Sequence, residues 1–398
     1  MLSLLAALAL TPTALAAKVF SGSTDTFDKV SLQMGGYLQP RFSFEQEDPT
    51  AQHDGDLGFA LRRARFETAA SFVRSADGVD GWTGPSLATG MTVELMPEAR
   101  LQDAWVDLRL AHPLQLRLGQ FKAPTTRNQL VSTSAVIFQD LSELADLAPE
   151  REIGAQLMGF VGQHHLDYAA GVFNGEGTNR LSNVNDELLM AGRLTVSPLG
   201  APSRPVEVLP QSWSLLGEDA PLGAYDPQAT FSVGGTGFRN VTGAEGTQEG
   251  TWGVGADAFF HYRWVNLSGE WLTGQVDWED ENIADYGFSG WYAQAAIFPP
   301  MVPWAQDHLA LIARVQQHDA LIPDVAGSVP LVGPTDENQE AREVTMGVAL
   351  FAGAPWFGSA ESPDLHAVRA QLQWSMRQEL ESLDYDNDEL LLATQVAF

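Results

Sequence analysis

The chain has 398 residues, with 51 acidic against 22 basic side chains, a net charge of −29 and no cysteine. That excludes a disulfide framework and thiolate metal sites, and it denies nucleic acid the basic face that phosphate contacts need. The 37 glycines and a 10% aromatic share suit sheets with tight turns better than helical bundles, while the charge alone would also fit a soluble acidic secreted protein.

Residues 1–17 are apolar and end in small side chains, and Ala14-Leu15-Ala16 has the form that signal peptidase cuts. An export signal cleaved after Ala16 or Ala17 is expected. No Lys or Arg precedes the apolar run; a start upstream of Met1 would supply one. The segment is too short to span a bilayer as a helix, and no later stretch is apolar for 18 residues. A helical membrane protein is therefore excluded. A β-barrel is not, because its strands are only half apolar.

From Val30 the pattern has a period of two. Val30, Leu32, Met34, Leu38, Phe42 and Phe44 oppose Ser31, Gln33, Gln39, Arg41 and Glu45. Further on, Ala64, Phe66 and Phe72 oppose Arg63, Arg65 and Glu67, and Ala104, Val106 and Leu108 oppose Asp103, Asp107 and Arg109. Later segments set Val265, Leu267 and Trp271 against Asn266, Ser268 and Glu270; Leu309, Leu311, Ala313 and Val315 against His308, Arg314 and Gln316; and Val368, Leu372 and Trp374 against Arg369, Gln371 and Arg377. Sixteen strands are expected, at 29–46, 59–74, 88–95, 101–111, 115–121, 152–162, 165–173, 188–197, 229–240, 252–263, 265–276, 287–298, 307–318, 343–353, 365–378 and 388–398. An even number fits a single-chain barrel with both ends in the periplasm.

Connections alternate between tight turns (Ala111-His-Pro113, Gly162-Gln-His164, Tyr262-Arg-Trp264) and longer, often acidic loops. The Pro- and Gly-rich 198–228 stretch reads as a periplasmic insertion. The polar loop at 122–150 is long enough to fold inward as the third external loop and narrow the lumen. Lys122, Arg127 and Arg151 would then meet a passing solute first. Trp252, Trp264, Trp271, Trp291, Tyr292, Trp304 and Trp374 fit aromatic girdles at the membrane surfaces.

Phe59-Ala-Leu-Arg-Arg-Ala-Arg-Phe66, Leu101-Gln-Asp-Ala-Trp-Val-Asp107, Leu118-Gly-Gln-Phe-Lys-Ala-Pro124, Glu152-Ile-Gly154, Ala170-Gly-Val-Phe-Asn-Gly175 and Ala191-Gly-Arg-Leu-Thr195 occur in this order. Together they resemble the phosphate-selective porin O/P family of Gram-negative outer membranes, and the terminal Phe398 resembles the signal read by the outer-membrane assembly machinery. The resemblance implies a 16-stranded trimeric transmembrane β-barrel with an inward third loop, passing small anions by diffusion through the outer membrane. It matches Arg62 and Arg63 to the family's paired Arg on strand two, and Lys122 to the Lys of its Gly-Gln-Phe-Lys motif. Strand parity turns Arg63 and Arg65 into the lumen and Arg62 outward, unless a bulge shifts the register. Phosphate-selective members resemble one another in a basic ladder, whereas this chain has three lysines, Lys18, Lys29 and Lys122.

Arg41, Arg63, Arg65, Arg109, Arg117, Lys122, Arg127 and Arg193 are the candidate anion-attracting residues, since rings of charge tune pore selectivity. Alternatively they pair with the lumenal acids Glu67, Asp103, Asp107 and Asp167 and stiffen the wall. The expected function is a passive channel for small hydrophilic solutes with a weak anion preference, with phosphate a candidate solute. It would need no cofactor or metal, and lipopolysaccharide and a homotrimer would be its partners. A secreted lectin-like β-sheet binding protein without channel activity is the competing reading, and an outer-membrane lipase the third. The last lacks a Ser/His pair in lumenal register or a nucleophile elbow. Asp384-Tyr-Asp-Asn-Asp388 departs from a calcium loop at its sixth and twelfth positions, Glu389 and Gln395. His164 and His165 read as turn residues rather than metal ligands.

Overall fold

The protein's structure is a computed structural model that describes residues 16–24, 29–46, 57–73, 87–111, 114–134, 136–162, 164–199, 229–243, 248–262, 264–279, 285–299, 308–320, 341–351, 368–380 and 388–397. Its strands are β1 (Ala16–Gly22), β2 (Lys29–Glu45), β3 (Leu57–Val73), β4 (Leu87–Glu94), β5 (Arg100–Ala111), β6 (Leu114–Lys122), β7 (Arg151–Val161), β8 (Leu166–Phe173), β9 (Leu189–Val196), β10 (Thr230–Thr242), β11 (Glu249–Tyr262), β12 (Val265–Trp278), β13 (Tyr286–Ile297), β14 (Leu309–Ala320), β15 (Ala341–Phe351), β16 (Val368–Glu379) and β17 (Glu389–Ala397). Each strand from β2 to β17 pairs antiparallel with its sequence neighbours, and β17 returns to β2, so sixteen strands close a ring. Closure leaves no row of unpaired N–H and C=O groups facing lipid, the condition a sheet must meet to cross a bilayer. A secreted sandwich does not close in this way.

The expected strands stand within a few residues at each end. β1 is an addition that the two-residue period did not mark. It pairs with Val30 to Gly35 of β2, below the part of the same strand edge that β17 occupies, and it contains the expected cleavage site. Residues 1–15, the 200–228 part of the insertion, Trp304, Asp384 and Phe398 lie outside the described residues.

The two faces are inverted relative to a soluble protein. Leu194, Trp271, Leu311 and Trp374 stand about half exposed on the outside, at 56%, 46%, 50% and 50%. Arg193, Glu270 and Gln373, inward neighbours of three of them, are nearly sealed at 6%, 4% and 5%. Apolar side chains outside and polar ones inside is what hydrocarbon around the wall requires. Tyr292 departs from the girdle expectation: it is 3% exposed, turned inward and packed in an apolar cluster with Phe121, Phe238, Leu272 and Phe288. Trp264 is partly buried against a second inner cluster rather than standing free at a membrane surface.

One register shift bears directly on the interior. Gln39 of β2 faces Arg63 of β3, but the next residue, Pro40, faces Leu61. Arg62 is the extra residue of a β-bulge, which lets two consecutive side chains point to the same face. Pro40 has no N–H to give to the ladder, so the interruption falls where a ladder bond is already missing.

Gly119 in the Gly-Gln-Phe-Lys segment has a φ of 124°, and a Cβ there would run into the carbonyl of Ala104 on β5. Gly192 on β9 has only the Ala169 carbonyl near, at 3.6 Å. Gly119→Ala is therefore expected to cost about 1–3 kcal/mol of barrel stability and Gly192→Ala little. The check is the urea concentration at which each variant loses its heat-modifiable folded band.

Candidate functional site

The β6–β7 connection, 123–150, organises the interior. Expected to be polar, it carries an apolar spine: Val131, Val136, Ile137, Phe138, Leu144 and Ala145 are all buried. Thr126 caps a single helical turn, α1 (Arg127–Leu130), its side-chain oxygen accepting from the Gln129 N–H. Ser142 likewise caps a 3-10 turn at Glu143–Leu147. Ile137 and Phe138 pack on Ala296 and Phe298, Ala310 and Ile312 of β14, and Ala349 and Phe351 of β15. Burying two such side chains stabilises docking by about 1.5–3 kcal/mol each.

The segment's backbone polar groups then need partners, and the polar face of the wall supplies them. Gln39 Nε2 of β2 donates to the Thr133 carbonyl (3.3 Å) and Gln395 Nε2 of β17 to that of Ser134 (3.0 Å). Arg369 and Gln371 of β16 donate to the carbonyls of Val136 and Ile137. Arg63 Nη1 of β3 donates to Gln139 O (2.8 Å) and Arg314 Nη1 of β14 to Asp140 O (3.0 Å). On the other side, the N–H groups of Arg127 and Asn128 donate to the two oxygens of Glu270 on β12, at 2.6 and 3.0 Å. One segment is thus bonded to the polar faces of strands on opposite sides of the closed ring.

Charges join the same contacts. Asp140 receives Arg62 Nε at 2.7 Å, with Arg41 Nη1 at 3.4 Å and Arg63 Nη2 at 3.7 Å. Arg62 therefore reaches inward through its bulge, as the conditional reading of its register allowed. Burial opposes ionisation of Asp140, but Arg62, Arg63 and Arg41 outweigh it and hold the carboxyl below its usual range. Glu143 meets His318 Nδ1 at 2.7 Å and Arg377 Nη1 at 3.0 Å. Burial raises its pKa, yet His318, Arg377 and Arg314 bring it down to about 2. Asp146, exposed on the same 3-10 turn, goes the other way, pushed up to about 6 by partial burial and by Glu143 and Glu150.

The remaining sequence candidates divide by position. Arg65 Nε pairs with Glu94 (2.7 Å), and Arg117 with Asp107 through two contacts of 2.7 Å while lying over the Trp105 ring. Arg193 pairs with Asp257 (2.5 Å) and reaches the Thr125 carbonyl. Arg151 pairs with Asp103 (3.0 Å), and Glu67 lies in the field of Arg65, Lys122 and Arg151. The Lys122 ammonium donates to the carbonyls of Gln129 and Val131. Arg127 is buried over the Phe259 ring, its guanidinium 4.5 Å from the centroid, so it does not meet solute as expected. Arg109 bonds the Ala111 carbonyl at its own strand end. Asp167 bonds His164 in the β7–β8 turn, where His164 adopts a φ of 59°. The structure thus gathers Arg41, Arg63 and Arg65 around the loop and leaves Arg109 and Asp167 at the rim. Glu94, Asp140, Glu143, Asp257 and Glu270, the acids that complete these contacts, were not singled out. Their signal was weak: Glu270 was recognisable only as polar-face, Glu94 falls in register opposite Arg65, Asp257 meets Arg193 from two strands away, and Asp140 and Glu143 find their partners only through where the loop comes to rest.

The profile of the family described as "Phosphate-selective porin O and P" matches residues 34–304, more than half of the chain. No curated protein sequence matches it. Among solved structures, the chain is similar to an anion-selective porin from Comamonas acidovorans, with 11% identity, 93% of this chain and 100% of that one covered, and a TM-score of 0.57. It is similar to the outer membrane channel DcaP of Acinetobacter baumannii at 8% identity, 96% and 100% coverage and a TM-score of 0.57. The trimer form of the outer membrane protein OmpT of Vibrio cholerae matches at 11% identity, 93% and 99% coverage and a TM-score of 0.54. At these identities the structural likeness establishes the fold, and the family match establishes descent. The chain belongs to the phosphate-selective porin O and P family, outer-membrane channels for small solutes.

Proposed function

We propose that the protein is a passive diffusion channel whose constriction is the 123–150 segment, with a weak preference for anions. The observation that carries this is the bonding of that one segment to polar-face side chains of β2, β3, β12, β14, β16 and β17. A chain held at so many points round a closed wall narrows the passage and cannot swing aside without breaking several buried contacts at once. The anion preference rests on the arginine excess at Arg41, Arg62 and Arg63, which face one carboxylate. Phosphate is the candidate solute by family; most other inner basic groups are already engaged by acids or by loop carbonyls, which favours a weak preference over a specific one. By likeness to the trimer form of the Vibrio cholerae protein, the channel is read as a homotrimer in a lipopolysaccharide-bearing membrane, exported after cleavage near Ala16 or Ala17. The 198–228 stretch is read as a periplasmic insertion.

Purified protein refolded into planar bilayers is expected to give stepwise conductance, with a reversal potential in a KCl gradient on the chloride side. Cation preference, or folded heat-modifiable protein without channels, would contradict this reading.

Two pH effects follow from the loop. As pH falls from 7 to 5, Asp146 loses its charge through its pKa of about 6, so the reversal potential should move further toward chloride, and Asp146→Asn should diminish the movement. Glu143, depressed to about 2, contributes to docking at every pH above its ordinary 4.5. That contribution is lost only as pH falls toward 2. Removing the charge at neutral pH with Glu143→Gln is expected to weaken docking by about 1–3 kcal/mol and to appear as flickering of the open level.

A further inference from the structure

We propose that Asp140 is a tethered competitor for solute anions, a specificity-determining carboxylate that occupies the oxyanion position between Arg41, Arg62 and Arg63. The inference deepens the channel reading above and rests on it for its functional meaning. Guanidinium groups bind carboxylate and phosphate oxygens by the same charge-assisted hydrogen bonds. Here three of them, from two adjacent strands, converge on the two oxygens of one side chain: Arg62 Nε on Oδ1 at 2.7 Å, Arg63 Nη2 on Oδ1 at 3.7 Å and Arg41 Nη1 on Oδ2 at 3.4 Å. That coordination is the one a dissolved oxyanion would adopt, with the chain's own carboxylate standing in for it.

The competitor is held at the site rather than arriving by chance. The Asp140 carbonyl is gripped by Arg314 at 3.0 Å and the preceding carbonyl, Gln139, by Arg63 at 2.8 Å. Ile137 and Phe138 anchor the same stretch in the β14–β15 apolar cluster. Backbone position therefore survives removal of the side-chain charge. The site is also reachable, since the Asp140 and Arg62 side chains are 36% and 41% exposed. An intramolecular ligand acts at an effective concentration in the millimolar range or above. A dissolved oxyanion at comparable concentration must displace it, so affinity stays low and passage fast. Glu45 and Glu389, opposite one another in register on β2 and β17, add a negative field beside Arg41 and stay in place when Asp140 is changed.

The test compares native protein, Asp140→Asn and Asp140→Cys, each as the folded barrel in detergent, by calorimetric titration with inorganic phosphate. The same proteins are then read in bilayers for phosphate block. The chain has no cysteine, so a carboxylate-bearing methanethiosulfonate recharges only the introduced thiol. The expected result is phosphate affinity about tenfold tighter in both variants, with block at correspondingly lower phosphate, and return toward native weakness once the introduced thiol is recharged. Equal phosphate affinity in native and variant barrels would overturn the proposal. So would a gain that recharging does not reverse, or failure of both variants to assemble, which would make Asp140 a structural cross-link. Tighter phosphate binding in barrels that conduct no ions would leave this inference standing and remove the channel reading instead.

Discussion

Every other feature of the molecule depends on closure of the sheet between β17 and β2. In hydrocarbon an unpaired backbone amide costs several kcal/mol, so a wall with an edge would not persist there, whatever its side chains. Once the ring is closed, the pleat sends alternate side chains to two environments: Leu194, Trp271, Leu311 and Trp374 stand outside, Arg193, Glu270 and Gln371 inside. The interior is thereby loaded with donors and charges that need partners, and the 123–150 segment supplies many of them.

The interior is therefore a mutual arrangement rather than a bare pore with a loop across it. Gln39, Arg63, Arg314, Arg369, Gln371 and Gln395 satisfy carbonyls of the segment, and Glu270 satisfies the N–H groups opening its helical turn. Breaking a buried pair by removing one partner leaves the other's desolvation uncompensated, which costs more than the contact itself contributes. The loop is held by that asymmetry as well as by Ile137 and Phe138. The same pairing limits how strongly the wall attracts anions. Arg117, Arg193 and Arg151 face Asp107, Asp257 and Asp103 at pairing distance, whereas Arg41, Arg62 and Arg63 share the one carboxylate of Asp140 as ion-pair partner.

Strand positions were legible in the sequence because a wall with lipid on one side and polar interior on the other imposes a period of two over many residues. Arg63 and Arg65 were turned inward by that rule alone. The rule failed where the backbone departs from the pleat: Arg62 needed its bulge, and the short β1 had too few residues to show a period. It failed also where inside is not uniformly polar, as at Tyr292, whose polar-face position is apolar because Leu147 and the 3-10 turn pack nearby. The partner acids were hidden for another reason. Which Glu or Asp meets which Arg depends on register and on where the loop comes to rest, and neither is written in spacing. The run Val136-Ile-Phe138 inside the loop was a visible sign that the loop docks.

The central claim is that this docked segment stands in the conduction path, and the absence of native cysteine makes it directly testable. With Asp146→Cys as the sole thiol, a bulky charged methanethiosulfonate is added to open single channels in a bilayer. The account predicts a stepwise, dithiothreitol-reversible drop in conductance as the thiol is modified. Complete labelling, verified by mass, with the open level unchanged would place the segment outside the path and contradict it.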